Sequence, residues 1–259
     1  MNILLISEKQ WQDAEHRAGK ILLKLDARQT THCYKVLRVK AGDTLQIGLI
    51  NGGLGVATIA AKAEAPQSPS ILIELETERL DQSPPEPSVI SLHTALARPK
   101  MMRRMLRVAS ELGIKEIHIF NCEKVEKSYW QSPLLSPDKI TQALIEGLEQ
   151  AKDTVLPVVH LHKRFRPFVE GSVPEILNGD QAWVAHPYGG TDALGIPHLQ
   201  QELTRGARLH LFMGPEGGFN SFELNYLQRS GARLFTAGER IMRCETFLPW
   251  ILGSISHKP

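Results

Sequence analysis

The strongest constraint on the fold of this 259-residue chain is the alternation of apolar strands and helical segments after residue 88. Residues 89–97 and 209–213 are apolar runs of strand length, whereas residues 100–112 repeat their apolar side chains with a helical period. Gly113 then follows, as is common just past a helix end. Strands that alternate with helices usually pair in parallel, with helices on both faces. The pattern therefore predicts an α/β domain with a mostly parallel sheet.

Further elements continue this order along the chain. Strands are predicted at residues 117–120, 156–161, 182–185 and 233–235. One helix is predicted from Pro137 to about Lys152, because proline is favoured in the first turn. Another is predicted to begin after Asn220, which has Glu223 three residues later as in a capping box, and to end at Gly231.

The first 80 residues have a different character. After an opening helix they are predicted to be β-rich, with strands at 43–49, 56–60 and 70–76 and a turn at Asn51-Gly52-Gly53. Several short strands in so few residues favour a small barrel. Residues 81–87 hold three prolines, which disfavour a helix and favour an extended linker. We therefore predict domains at 1–80 and 88–259, joined by a linker at 81–87.

The charge of the chain is nearly balanced, with 30 Lys+Arg against 28 Asp+Glu and a net charge of +2. The whole-chain charge therefore gives no electrostatic argument for a nucleic-acid partner. Local clusters of charge do give such an argument, because residues 98–107 contain five basic side chains and no acidic one. The candidate RNA-binding residues are Arg38, Arg98, Lys100, Arg103, Arg104, Arg107, Lys163 and Arg164.

The cysteines are few and widely spaced, at positions 33, 122 and 244. Without a C-x-x-C pair, neither a disulfide framework nor a zinc ribbon is expected, and no metal is predicted. No secretory signal and no apolar run of about 20 residues is present. We therefore expect a cytoplasmic protein without a membrane partner.

The most informative segment joins an apolar strand to a helix through Gly214-Pro215-Glu216-Gly217-Gly218-Phe219. This architecture is similar to a phosphate-binding loop, in which backbone N–H groups at a helix start hold an anion. The lysine of such loops is absent, and Glu216 places a carboxylate where a phosphate would lie. The segment therefore favours a neutral or cationic ligand, with a tight turn that binds nothing as the alternative.

A second charged loop, residues 236–247, follows the strand at 233–235. It contains Glu239, Arg240, Arg243 and Glu245 within seven residues and precedes an apolar C-terminal stretch. One interpretation is a functional cluster. The other is a charged helix start, in which the helix dipole favours Glu245.

Together, residues 214–219 and 238–246 resemble the RsmE-type ribosomal RNA uridine-N3 methyltransferases of the SPOUT superfamily. Residues 107–113, Glu149-Gln150 with Pro157, and residues 32–38 with Gly42-Asp43 are similar to further segments of that family. The resemblance covers nearly the whole chain. It implies a PUA-like β-barrel domain at 1–80 and a SPOUT domain whose C-terminal segment forms a trefoil knot.

The resemblance also implies S-adenosylmethionine as cofactor, ribosomal RNA or the small ribosomal subunit as substrate, and a homodimer. Arg243 is the candidate for stabilising the uridinate oxygens, and Glu216 or Glu245 for accepting the proton. The cofactor-binding residues that it suggests are His186, Pro187, Met213, Gly214, Pro215, Glu216, Gly217, Gly218, Gly238, Ile241, Met242, Arg243 and Thr246.

The chain departs from the family pattern at RNA-facing positions. Its N-terminus, Met1-Asn2-Ile3, lacks the usual arginines, and Ala151-Lys152-Asp153 stands where an arginine is common. Two alternatives therefore stay open: a SPOUT methyltransferase with another RNA target, and a non-catalytic RNA-binding dimer. A phosphate-loop NTPase is a more distant third, since the required lysine is absent.

Overall fold

The computed structural model of the chain describes residues 2–17, 19–63, 70–76, 80–187, 194–204 and 208–256. It divides into two compact units, residues 1–86 with 148–156, and residues 87–147 with 157–259. The predicted domains, residues 1–80 and 88–259, stay a prediction of which parts of the chain fold independently. The prediction did not include the grouping of residues 148–156 with the first unit.

The first unit contains a six-stranded sheet. Its elements are β1 (Leu4–Ile6), α1 (Glu8–Gln12), β2 (Glu15–Arg17), β3 (Lys20–Lys24), α2 (Ala27–His32), a π-helical turn (Cys33–Leu37), β4 (Thr44–Leu49), β5 (Leu54–Ala63) and β6 (Ser70–Glu76). The strand order is β1-β4-β5-β6-β3-β2, and β1 with β4 is the parallel pair. The prediction of an opening helix was wrong, because strand β1 precedes α1.

Alternation along these strands produces the core of the first unit. Ile21 and Leu23 of β3, and Ile71, Ile73 and Leu75 of β6, all face inward. Successive side chains of a strand point to opposite faces, so every second residue is buried. The curled, mostly antiparallel sheet is consistent with the predicted PUA-like fold.

The second unit is built on a parallel sheet. Its elements are β7 (Ile90–Ala95), α3 (Pro99–Glu111), β8 (Glu116–Phe120), α4 (Pro137–Ala151), β9 (Val158–His162), α5 (Phe165–Pro167), α6 (Val173–Leu177), β10 (Gln181–Ala185), α7 (Ile196–Thr204), β11 (Leu209–Met213), α8 (Ser221–Arg229), β12 (Arg233–Phe235) and α9 (Cys244–Ser256). The strand order is β12-β10-β11-β7-β8-β9, and all of these neighbouring strands pair in parallel. The predicted α/β class is therefore confirmed.

The central strands of this sheet are covered on both faces. Every residue of β7 and of β11 is buried, as expected for strands between two helical layers. Helix α9 packs against α3 and α7. Helix α3 also lies close to α4, where a Cβ on Gly147 would be 2.4 Å from the Arg107 carbonyl oxygen. This contact requires glycine at position 147.

One face of the parallel sheet carries histidines on neighbouring strands. His93 of β7 lies directly opposite His118 of β8, and both side chains are buried. Burial and the neighbouring histidine rings hold the pKa of His93 well below its ordinary value. His93 is therefore a neutral core residue at physiological pH.

Within the part of the chain that the structure describes, no helix has the length and apolar character that crossing a membrane requires.

A buried carboxylate fixes the N-terminal strand in the first unit. Glu149 is 1% exposed and accepts hydrogen bonds from both terminal nitrogens of Arg28, at 2.7 and 2.8 Å. The Glu149 carboxylate also accepts from the Leu5 backbone N–H, and its carbonyl oxygen accepts from the N–H groups of Asn2 and Ile3. Bidentate pairing of this kind compensates for burying the charge.

We predict that Arg28→Met lowers the free energy of unfolding of the first unit by about 1–3 kcal/mol, because it leaves Glu149 buried without its main cation. Urea denaturation followed by circular dichroism measures the change. Lys20→Met is the matched control, since it breaks the exposed pair with Glu74 and is expected to cost less than about 1 kcal/mol. Equal losses in the two variants would contradict the prediction.

Candidate functional site

The loops that leave the carboxyl ends of the parallel strands lie at one edge of the second sheet. Ligands of open parallel sheets bind at this edge, where successive loops diverge. The loops here follow β7, β8, β10, β11 and β12, and they include both segments that the sequence singled out. The geometry of this edge therefore decides which of the predicted residues come together.

The glycine-rich loop begins where β11 ends, at the buried Met213. The Gly218 N–H donates to the Pro215 carbonyl oxygen at 2.7 Å, which closes a tight turn. Gly218 has φ +71°, a conformation that glycine adopts without strain. Gly214 lies against the buried Phe219 ring, where a Cβ would approach to 2.9 Å. The loop is therefore compact and depends on its glycines.

The helix that follows has its N-terminus already occupied by protein groups. Asn220 caps α8, and the Glu223 carboxylate accepts from the backbone N–H groups of Asn220 and Glu123, at 2.9 and 2.8 Å. The Asn220 amide in turn donates to the Glu123 carboxylate. Because a buried carboxylate fills the position that a phosphate would take, this helix start is not an anion site. The observation removes the main structural basis for a phosphate-loop NTPase.

Two side chains from neighbouring loops hold the glycine-rich loop in place. Glu216 forms an ion pair with Arg98, whose Nε lies 3.1 Å from the carboxylate, and Lys124 donates to the Gly217 carbonyl oxygen at 2.8 Å. A hydrogen bond with the Tyr129 side chain, and then the charge of Glu216, raise the pKa of Arg98. Glu216 therefore has a cation partner that the sequence did not identify, since Arg98 was predicted to bind RNA.

The second loop reaches back to the first through a cysteine. The Cys244 Sγ lies 3.7 Å from the Gly214 carbonyl oxygen. Burial and the nearby Glu216 carboxylate raise the pKa of Cys244 to about 11, so the thiol stays protonated and donates to this carbonyl. A protonated, half-buried thiol is a poor nucleophile. Cys244 therefore connects the two loops and does not supply covalent chemistry.

A cavity of about 550 Å³ opens beside the second loop. Its volume lies within the range of small-molecule sites. Gly238 has φ +105°, and no neighbouring atom lies within 4 Å of the position that a Cβ would take, so one wall is open to a ligand. The residues that line the cavity are Ala237, Gly238, Glu239, Arg240, Met242 and Trp250.

The cavity includes some of the predicted cofactor residues and leaves out others. Gly238 and Met242 line it, whereas Ile241 is 65% exposed and does not. Trp250 of α9 lines it and was missed, because in the sequence it is one apolar residue of an apolar helix. The signal that could have identified Trp250 is an aromatic side chain about one helix turn after the end of the charged loop.

Two of the three predicted catalytic residues lie at the start of α9, and the third, Glu216, lies in the glycine-rich loop. Arg243 is exposed, has no ion-pair partner among the described residues, and accepts from the N–H groups of Thr246 and Phe247 through its carbonyl oxygen. Glu245 is half-buried in the first turn, and its Oε2 atom has no hydrogen-bond donor in the described part of the chain. The structure therefore places Arg243 and Glu245 on either side of the first residue of α9, whereas Glu216 is paired with Arg98 of the loop after β7.

The third predicted cofactor loop follows β10. The His186 N–H donates to the Phe235 carbonyl oxygen at 3.1 Å, which keeps the start of this loop beside the end of β12. Pro187 is exposed. The rest of the predicted loop, Tyr188-Gly189-Gly190, lies outside the described residues.

The predicted RNA-binding side chains are all exposed. In the second unit, three of those on or beside α3 have acidic partners: Arg98 with Glu216, Arg103 with Glu146 at 2.6 Å, and Arg107 with Glu111 at 3.6 Å. The other two, Lys100 and Arg104, have none among the described residues. Lys163 and Arg164 follow β9, and Arg38 in the first unit has a left-handed backbone, with φ +53°.

Comparisons with known proteins agree with this arrangement. Residues 84–256 match the family model described as RNA methyltransferase domain, and residues 25–64 match the one described as RNA methyltransferase PUA domain. The ribosomal RNA small subunit methyltransferase E of Treponema pallidum (strain Nichols) is 31% identical over 95% of this chain and 87% of that protein. A Borreliella burgdorferi protein, ribosomal RNA small subunit methyltransferase E 2, is 23% identical over 91% of each chain.

Solved structures share the fold. The ribosomal RNA small subunit methyltransferase E from Neisseria gonorrhoeae, bound to S-adenosylmethionine, superposes with a TM-score of 0.68 at 18% identity, over 97% of this chain and 96% of that one. A Legionella pneumophila protein described as a methyltransferase, in complex with the same cofactor, superposes with a TM-score of 0.71 at 18% identity, over 98% and 97% of the two chains.

We predict that Gly238→Ala weakens the binding of S-adenosylmethionine by about tenfold, because the alanine strains a positive-φ backbone and adds a methyl group to the cavity wall. Isothermal titration calorimetry measures the dissociation constant. Gly179→Ala is the matched control: Gly179 also has positive φ and open space around it, but it lies between α6 and β10. Equal weakening by both variants would show a general loss of stability and would contradict the prediction.

Proposed function

The chain belongs to the family of PUA-containing RNA methyltransferases that includes the ribosomal RNA small subunit methyltransferases E, and from that premise we propose its acceptor atom and its catalytic residues. It is an S-adenosylmethionine-dependent methyltransferase of small-subunit ribosomal RNA. We propose that it methylates N3 of a uridine. The observation that supports a methyl-transfer site is the contact between Cys244 and Gly214, which joins the two family-specific loops beside a ligand-sized cavity. The choice of uridine N3 rests on the resemblance of these two loops to the uridine-N3 methyltransferases.

The residues around the cavity fit the cofactor. Met242, Ala237 and Trp250 offer apolar surface to a flat adenine ring, and Glu239 offers a carboxylate to a cationic group. Gly238 and Gly218 let backbone groups approach a ligand closely. When bound, S-adenosylmethionine supplies an electrophilic methyl group on a sulfonium. The protein then has to orient the two reactants and to ready the nucleophile.

The acceptor sets two requirements for the protein. A uridine N3 carries a proton and lies on the Watson–Crick edge, so the target nucleotide must be single-stranded or flipped out of its helix. A base has to accept the N3 proton, or a cation has to stabilise the charge that develops on the uridine oxygens. The described site contains side chains for both tasks.

We assign the cation to Arg243. Its guanidinium has no acidic partner among the described residues, so it is available to a bound nucleotide. Glu245 is the stronger candidate for the base, because Glu216 is already engaged by Arg98. Glu216 then acts as a structural residue that holds the glycine-rich loop against the loop after β7. This division of roles selects between the two carboxylates that the sequence left open.

The remaining features of the family are part of the same proposal. We propose that the chain acts in the cytoplasm as a homodimer and that residues after β12 pass through a preceding loop as a trefoil knot. Strand β12 pairs with β10 although β11 lies between them in the chain, so the segment after β11 crosses over β10, and the knot itself is proposed from the family resemblance. Size-exclusion chromatography with light scattering tests the dimer.

The decisive experiment compares ribosomal RNA from cells with and without the gene. Nuclease digestion followed by mass spectrometry should show one 3-methyluridine that is lost from the small-subunit RNA of the deleted strain and restored by the wild-type gene. A lost methyl group on another nucleotide, or on another atom, would overturn the proposed acceptor. An unchanged set of methylated nucleotides would overturn the proposed activity.

We predict that Arg243→Ala lowers kcat by about 10²–10³-fold, because it removes the cation that stabilises the developing charge. Single-turnover methylation of small-subunit RNA measures the rate, and calorimetry with S-adenosylmethionine serves as the control. Cofactor affinity and oligomeric state are expected to stay unchanged, since Arg243 is assigned here to the nucleotide and not to the cofactor; a parallel loss of cofactor affinity would return Arg243 to the cofactor-binding residues. An unchanged rate would remove Arg243 from the mechanism.

We predict that Glu245→Gln lowers kcat by about 10²-fold or more, because glutamine cannot accept the N3 proton. Glu216→Gln is the matched control and is expected to retain most of the activity, since it removes only an exposed ion pair with Arg98, and such pairs are worth less than about 1 kcal/mol. Comparison of the two variants over a range of pH separates loss of a base from loss of loop structure. The reverse order of activities would exchange the roles of the two carboxylates.

We predict that Arg104→Glu weakens RNA binding and lowers the slope of log affinity against log salt concentration by about 1, because it removes an unpaired cation that can neutralise a phosphate. Fluorescence anisotropy at several salt concentrations measures the slope. Arg103→Glu is the comparison, and a smaller effect is expected because Arg103 is already paired with Glu146. No change in slope for either variant would exclude this helix face as an RNA contact.

A further inference from the structure

A row of histidine side chains lies on one face of the second sheet, within the strands and away from the loops at their carboxyl ends. His93, His118 and His160 occupy the same register on β7, β8 and β9. The His118 ring stacks between the other two, with ring centroids 4.5 Å from His93 and 4.6 Å from His160. The proposed methyl transfer uses none of these residues.

A carboxylate on β8 completes a group of metal-ligating side chains with two of these histidines. Glu116 and His118 are two residues apart on β8, so both side chains point to the same face. The His118 Nε2 lies 3.0 Å from the Glu116 Oε1, and His160 is the cross-strand neighbour of His118. One ligand atom from each of the three residues lies within 4.8 Å of those of the other two.

We propose that Glu116, His118 and His160 bind a divalent transition-metal ion of the zinc class. Two imidazole nitrogens and one carboxylate oxygen suit Zn²⁺, Co²⁺, Ni²⁺ or Cu²⁺. They do not suit Mg²⁺ or Ca²⁺, which prefer oxygen ligands only. With three protein ligands, a tetrahedral ion retains one position for water.

The His118 and Glu116 ligand atoms are already close to the separation that two ligands of one metal ion have. Two ligand atoms about 2.0–2.1 Å from a tetrahedral ion are about 3.3 Å apart, so the His118–Glu116 pair would need to open by only a few tenths of an ångström. The His160 ring is stacked parallel to His118 and has to rotate to face the same ion. His160 is exposed on β9, where rotation about its side-chain bonds is not blocked by a covering layer.

His118 and Glu116 each have one further polar neighbour besides one another. The His118 Nδ1 lies 3.1 Å from the His162 Nε2, which can accept its proton and so leave Nε2 of His118 free to bind an ion. The other oxygen of Glu116 lies 4.0 Å from the Arg208 guanidinium. The pattern Glu-x-His on β8 followed by His-x-His on β9 is visible in the sequence, but without the strand register it does not indicate a site.

The position of the proposed metal site, between β8 and β9, suggests that a bound ion stabilises the sheet. Strand β9 is an edge strand of the second sheet, and an ion shared by β8 and β9 would attach it through side chains as well as through the backbone ladder. This proposal is independent of methyl transfer. It also departs from the expectation of no metal, which was drawn from the spacing of the cysteines.

The test uses the full-length chain after dialysis against a chelator. Calorimetric titration with Zn²⁺ should show one ion per chain, and Co²⁺ should give the visible absorption of a tetrahedral site. His160→Gln and Glu116→Gln should each weaken Zn²⁺ binding by about tenfold or more, while the exposed His198→Gln serves as a matched control and should bind as wild type. Saturating Zn²⁺ should raise the unfolding midpoint of the wild type by a few degrees and that of His160→Gln by much less.

Thermal unfolding in chelator checks that the variants fold, since both replaced side chains are at least partly exposed. Absence of Zn²⁺ binding to the wild type would overturn the proposal. So would equal binding by wild type, His160→Gln and Glu116→Gln, which would place the ion elsewhere. Binding of Mg²⁺ with similar affinity would overturn the assignment to the zinc class.

Discussion

The arrangement of this protein depends on the parallel pairing of the six strands of the second sheet. Parallel strands need a crossover connection each, so all their carboxyl ends, and the loops that follow them, lie along the same edge. That constraint brings together Arg98, Lys124, the glycine-rich loop and the loop before α9, although they are far apart in the chain. The Cys244–Gly214 and Arg98–Glu216 contacts then fix the loops against one another.

The sequence predicted the second unit better than the first, for a physical reason. Leu209–Met213 was predicted with the observed bounds, because a strand that is buried along its whole length leaves a continuous run, which here ends at Gly214. Strands β1 and β2 are three residues long and were missed, since so short a run shows no period. Strand β12 is equally short and was predicted, because it lies just after the glycine that ends α8 and just before a charged loop. The strand order could not be read from periodicity, which reports burial and not pairing partners.

The sequence predicted the two loops of the candidate site but not the contacts that hold them together. The residues of both loops were identified from glycine spacing, charge density and the family resemblance. The partners of those residues were not, because Arg98 and Lys124 lie on other loops and nothing in their local sequence distinguishes a loop contact from an RNA contact. The same limit applies to Trp250, whose position on the cavity wall depends on how α9 returns to the sheet.

The discontinuity of the first unit affects how the protein is made. Residues 148–156 belong to that unit, and Glu149 supplies the carboxylate that pairs with Arg28 and holds the N-terminal strand. Domains commonly fold as units during synthesis, in order from the N-terminus. Here the ribosome has to translate more than half of the chain before the first unit has all its parts. While α3, β8 and most of α4 emerge, the nascent chain therefore has all six strands of the first sheet but not the segment that holds β1. A fragment that stops at the proline-rich linker lacks the Glu149 carboxylate that pairs with Arg28.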